Sequence, residues 1–144
     1  MKKEIETRLF TASKKLTDYT VIIEVEGKTI TSKERGVKPV LALVEKGEDI
    51  SGAVVADRVV GKAVALLYKG LKISALYAGV ISRPALSVLE NAGVLCKYDG
   101  LVDMIINRKG DGRCPMEEAV LDIDDYEQAV RAIKRKLAHI TEGK

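Results

Sequence analysis

The apolar run from Val54 to Leu67 holds one carboxylate, Asp57, and a Gly-Lys pair at Gly61 and Lys62. A phosphate loop ends in such a pair, because glycine lets the backbone fold around phosphate and the following hydroxyl holds magnesium. The frame fails at both ends: Ala56 stands at the first glycine and Ala63 at the hydroxyl position. Val59, Val60, Val64 and Leu67 recur at helical spacing, which predicts that Gly61 and Lys62 lie inside a helix capped by Asp57. Asp57, Gly61 and Ala65 would then form a stripe of small residues below a carboxylate, with Lys62 about one turn beyond Asp57. A carboxylate at a strand end can also face a ligand, since open α/β sheets bind ligands there.

Two further stretches carry chemistry. In Ser82-Arg83-Pro84 the proline suits a first helical turn. The free N–H groups of that turn and the Arg83 charge would form a weak anion site; the plainer reading is a Pro-started helix. Residues 107–118 gather Asn107, Arg108, Arg113, Cys114 and Glu117 around a Gly-rich turn. Cys114 precedes Pro115 at an expected helix start and has Arg113 beside it, and both features favour a thiolate. Glu117 stands where a capping box reaches back. A nucleophilic cysteine wants a base, and His139, the single histidine, lies in the C-terminal tail. Packing is the plainer role for Cys114. Two cysteines and one histidine do not build a Cys-based or multi-histidine metal site. Neither a metal nor a cofactor is implied.

These residues must be positioned by a compact fold. A chain of 144 residues, 47% hydrophobic, predicts a single domain over 1–144 with a real core. The net charge of +3 is too small to argue for nucleic acid, which is not an expected partner. No apolar run approaches the ~20 residues of a membrane helix. The N-terminus does not read as a signal peptide, so a cytoplasmic, membrane-free protein is expected.

Periodicity predicts an N-terminal helix within 1–18 and a hairpin of strands near 19–25 and 28–32, broken at Glu26-Gly27. A helix over 37–44 comes after it and stops at Gly47. Two strand–helix units come next, SGAVVA into DRVVGKAVALLYKG and SALYAGVIS into RPALSVLENAG, and then a short strand, VLCKY. This alternation predicts parallel neighbours with helices on both faces. LVDMIIN fits strand or helix equally. A short helix over 114–121 and a last helix with its tail over 124–144 complete the chain. Arg131, Lys134, Arg135 and Lys136 crowd the end of that helix as solvated charges that suit its dipole.

The runs ADRVVGKAVALL, VISRPALSVLENAG, YDGLV and NR-x-G-x-G-x-CPME resemble an uncharacterised family, domain of unknown function 1893, of the cytidine-deaminase-like superfamily. The resemblance spans about residues 19–123. It implies a three-layer deaminase-like α/β fold with a mixed sheet of about five strands. Zinc deaminases place H-x-E at the first helix start and P-C-x-x-C at the second. Here those places read Ala56-Asp57-Arg58 and Pro84-Ala85-Leu86-Ser87-Val88, without a zinc ligand set. Zinc-dependent deamination is therefore not expected.

Without zinc, such a fold would keep a strand-end pocket for a small polar or nucleotide-like molecule. Asp57 and Cys114 are its candidate catalytic groups, and Lys62, Arg83, Asn107, Arg108 and Glu117 its candidate ligand contacts. Two alternatives stand beside it. One is a non-catalytic interaction module that binds another protein or forms a homo-oligomer. The other is a cysteine-dependent enzyme using Cys114 with Asp57 or Glu117.

Overall fold

The β-branched segments pair into one mixed sheet. The computed structural model describes residues 2–106, 110 and 112–142. Strands β1 (Val21–Val25), β2 (Lys28–Ser32), β3 (Val54–Val60), β4 (Ala75–Ser82) and β5 (Leu95–Val102) lie in the order β2-β1-β3-β4-β5. β1 is antiparallel to both neighbours, whereas β3, β4 and β5 are parallel. The hairpin turns at Glu26 and Gly27 with φ of 38° and 74°. Positive φ at both central residues gives the twist that a two-residue hairpin needs.

The helices are α1 (Lys2–Lys14), α2 (Lys38–Lys46), α3 (Lys62–Leu71), α4 (Arg83–Asn91), α5 (Pro115–Ala119) and α6 (Tyr126–Glu142); a 3-10 turn, Lys15–Thr17, extends α1. α1 covers one face of the sheet, where Leu9 meets Val54 and Ala75, and Ala12 meets Ile22 and Ala56. On the opposite face Val55, Leu76 and Ala78 join the main core beneath the other helices. α3 is the central helix of that layer: every residue from Ala63 to Tyr68 is buried. A helix buried all round is one packed on several sides at once. The result is the layered α/β architecture predicted, with helices on both faces. Among the described residues no helix is long and apolar enough to cross a membrane.

The three parallel strands also leave regular alternation at one level. Strand residues three apart should face opposite sides of a sheet. Yet Asp57 and Val60 are both buried, Asp57 bonded to α3 and Val60 in the main core. Ala78 and Ile81 both join that core, and Cys96 and Leu101, five apart, both pack against it. The pairing stays in register across this level, with Asp57 opposite Ala78 and Val60 opposite Ile81. The sheet therefore kinks as a unit near Arg58, Gly79 and Asp99. Gly79 makes this approach feasible, since a Cβ there would stand 2.6 Å from the Arg58 carbonyl oxygen.

The β3–α3 boundary corrects the sequence reading. β3 continues through Asp57 to Val60, Gly61 is the extended N-cap of α3 at φ −100° and ψ 177°, and Lys62 opens the helix. Asp57 is thus a mid-strand residue rather than a cap. Lys62 is the first residue of the helix, as expected, but Gly61 stands outside it as the cap, and the stripe of Asp57, Gly61 and Ala65 does not exist. The physical reason is pairing: Val59 and Val60 find Val80 and Ile81 on β4, and β-branched residues suit that pleated surface better than a helix start. The phosphate-loop frame still fails at Ala56 and Ala63, now for composition alone. β5 likewise runs past VLCKY and takes Leu101 and Val102 from the ambiguous LVDMIIN segment.

Candidate functional site

Asp57 points from β3 toward α3. Its Oδ2 accepts a 2.7 Å hydrogen bond from the Tyr68 hydroxyl, and both side chains are buried. Burial pushes the Asp57 carboxyl up to about 7, against the pull of Tyr68 and of the Val59 and Arg58 N–H groups, which favour the charged form. Burial, with the neighbouring carboxylate, holds the Tyr68 phenol well above its usual range. The pair is sealed between strand and helix, and no buried polar side-chain atom is left without a partner among the described residues.

The start of α3 is sealed from outside the helix. Glu117, on α5, accepts from the Lys62 N–H at 2.6 Å with Oε1 and from the Ala63 N–H at 3.1 Å with Oε2. Its carboxylate lies where a Gly61 side chain would be, so a Cβ on Gly61 would collide with it. An acid on the orphan donors of a helix start satisfies them and complements the dipole. Glu117 therefore caps a helix far away in sequence instead of reaching back to Cys114. Lys62 sends its Nζ to the Leu121 carbonyl at 3.1 Å and to Asp124 Oδ1 at 3.3 Å, which ties the same segment down.

The other expected contacts are dispersed. Arg83 opens α4, where the buried Ser82 hydroxyl caps Ala85 N–H at 3.2 Å, and pairs with Asp103 at 2.9 Å on the surface. Cys114 is half-buried against the main core. The Cys114 carbonyl accepts the Glu117 N–H at 2.9 Å as α5 begins, but among the described residues no hydrogen bond joins the Cys114 thiol to the Asp57 or Glu117 carboxylate. Asn107 and Arg108 lie outside the described residues. The structure joins Lys62 and Glu117 at the start of α3, leaves Cys114 as the N-cap of the helix that carries Glu117, and sets Asp57 and Arg83 in separate surroundings. No group of three or more His, Cys, Asp or Glu side chains is placed to hold a metal among the described residues.

The opposite face has a different set. Where the sheet kinks, a cleft of about 420 Å³ lies beside the end of α1, lined by Lys14, Arg58, Tyr77, Gly79, Val80 and Asp99 among others. Arg58 donates from Nε to the Leu16 carbonyl at 2.7 Å and from Nη2 to the Thr17 carbonyl at 3.2 Å. Those carbonyls end the α1 segment, and a cation is favoured at such an end. Tyr77 donates its hydroxyl to Asp99 Oδ1. That bond, with burial and the carboxylate charge behind it, pushes the phenol up to about 12, so Tyr77 remains a donor. A second hollow, between α5 and α6, is lined by Ala119, Ala132, Arg135, Lys136 and His139. The cleft on the α1 face is the one that combines both signs of charge with an aromatic ring. Sequence reading passed over Arg58, Tyr77 and Asp99. The signal available was Gly79 and Gly100, since a glycine inside a strand marks a bulge or a close backbone approach.

Fold and cleft together define an α/β protein with a five-stranded mixed sheet between helical layers. Its profile places it further: residues 11–137 match the family described as a domain of unknown function, DUF1893, and the chain belongs to that family. It is similar to the crystal structure of a DUF1893 family protein from Thermotoga maritima, with TM-score 0.80 and 31% identity over 93% of this chain and 90% of that one. No curated protein matches the chain by sequence.

Proposed function

We propose that this chain is a cytidine-deaminase-like protein without the hydrolytic zinc set, and that it binds a small polar molecule on the α1 face of its sheet. The order of elements supports the first half: helix, hairpin, helix, strand–helix, strand–helix, strand. With α3 opening at Lys62, the first helix start reads Gly61-Lys62-Ala63 and the second reads Ser82-Arg83-Pro84-Ala85. Neither offers the histidine or cysteines that hold a deaminase zinc.

One observation carries the second half. The cleft of about 420 Å³ is of ligand size and brings Arg58, Tyr77 and Asp99 from three adjacent parallel strands to one place. The strand-end pocket expected from the sequence is the weaker candidate, because Glu117 occupies the N–H groups at the start of α3.

A screen of nucleosides, nucleotides and sugar phosphates by thermal shift, followed by amide chemical-shift mapping, tests this reading. A binder should raise Tm and perturb the amides of Gly79, Val80 and Gly100. Asp99→Asn should weaken that response, while Glu117→Gln should leave it unchanged. Perturbations confined to the α3–α5 face, or no binder at all, would overturn the assignment.

A further inference from the structure

The cleft floor has a charge order that specifies its ligand further, on the reading that the cleft is a binding site. Asp57, Ala78 and Tyr98 are register partners on the three parallel strands, and so are Val59, Val80 and Gly100. Arg58, Gly79 and Asp99 lie between these two rows and so form one row across β3, β4 and β5. Adjacent strands are about 4.8 Å apart, which puts the Cα atoms of Arg58 and Asp99 roughly 10 Å apart. The middle position is Gly79, so no side chain separates the cation from the anion.

Both charged groups are held at one side and have capacity left at the other. Arg58 commits Nε and Nη2 to the α1 segment, and a guanidinium has further donors on Nη1. Lys14, at the cleft rim, adds a second cation on the Arg58 side and also lies over the Phe10 ring at 4.5 Å. Asp99 takes the Tyr77 hydroxyl on Oδ1, and a carboxylate has lone pairs for more donors. The Leu16 and Thr17 carbonyls thus fix Arg58, and the Tyr77 hydroxyl fixes Asp99, without neutralising either charge.

We infer that the cleft takes a small zwitterion laid across Gly79, with its carboxylate or phosphate toward Arg58 and Lys14 and its ammonium or amidinium toward Asp99. Arg58, Asp99 and Lys14 are exposed, so a molecule with one charge engages one end and leaves the other to water. A zwitterion engages both ends at once, and that second contact is what separates it from a molecule of either charge alone.

The test uses the full chain and amide chemical-shift titration. 4-Aminobutyrate and phosphoethanolamine carry both charges; butyrate, inorganic phosphate and butylamine carry one sign each. At least one zwitterion should perturb Gly79 and Gly100 at concentrations where the singly charged molecules do not. The stronger of the two identifies the anionic group as carboxylate or phosphate. Asp99→Asn should weaken the zwitterion about tenfold, and Lys14→Gln by a smaller factor. If a singly charged molecule binds the cleft as tightly as its zwitterion, the inference falls and cleft binding stands. No cleft response to any of the five also overturns it, while a nucleotide or sugar phosphate binder from the broader screen would keep the cleft reading alive.

Discussion

On the α3 face of the sheet, Asp57 is closed over by Tyr68, and Glu117 is spent on the backbone of a helix start. One residue along the same strand, Arg58 emerges on the α1 face into an open cleft with Tyr77 and Asp99. The chemically suggestive features in the chain, a buried acid and a Gly-Lys pair, sit on the sealed face. There they hold the fold together. The plainer residues sit where a ligand can reach them. A strongly raised carboxyl is thus not by itself a mark of catalysis in this protein: structural pairs shift protonation too.

The largest expected effect probes the sealed face. The Asp57 carboxyl is raised from an ordinary 3.8 to about 7. Between those pH values the unfolded chain is ionised while the folded one keeps its proton. Folding then takes up a proton, so stability falls as pH rises through that window and the loss is complete above it. The ceiling on this loss is about 4 kcal/mol, from roughly 3 pH units at ~1.4 kcal/mol each. Asp57→Asn keeps an acceptor for Tyr68 and removes the titration. Denaturant unfolding at pH 4, 6 and 8 should show wild type losing stability relative to the variant as pH rises. Parallel profiles would mean that Asp57 is ionised and solvated, and the sealed-face description would be wrong.

The kink behind the open cleft comes next. Gly79→Ala drives a Cβ to 2.6 Å from the Arg58 carbonyl oxygen, a backbone atom that moves only with its strand. Overpacking of this kind costs about 1–3 kcal/mol, and the fixed backbone argues for the upper end. Gly100→Ala, one strand over, meets its nearest atoms at 3.7 Å and should change stability by less than about 0.5 kcal/mol. Equal midpoints for the two variants would remove the argument that Gly79 is there for the close approach of β3.

The difference between the faces also explains what the sequence could reveal. The hairpin at Glu26-Gly27, the stop of α2 at Gly47 and the Pro84 start of α4 rest on local backbone chemistry, and all stand where expected. The end of β3 was not legible, because Val59, Val60, Val64 and Leu67 fit a helical stripe as well as a strand. Pairing with β4, a non-local event, settles it. The cleft was hidden for the same reason. Arg58, Gly79 and Asp99 become neighbours only through strand register, and nothing in their local sequence shows that they share a level. The sequence offered Glu117 as a ligand contact or as a cap for its own helix; its role at α3 was not legible, since its partners Lys62 and Ala63 lie 55 and 54 residues away.

That long-range cap gives the smallest of the three effects and the sharpest internal check. Glu117→Ala exposes two orphan N–H groups at the start of α3 and should cost about 1–2 kcal/mol, the range of a lost N-cap. Gly61→Ala should act through the same contact. Its Cβ collides with the end of a flexible carboxylate rather than with backbone, so Glu117 is pushed off and the cost is similar. The double variant has no carboxylate left to displace, and its loss should approach that of either single change. A double-mutant cycle should therefore return a coupling of about 1 kcal/mol. If the two losses simply add, Glu117 is not the group that Gly61 makes room for. The start of α3 would then be free, and the strand-end pocket would return as a rival to the cleft.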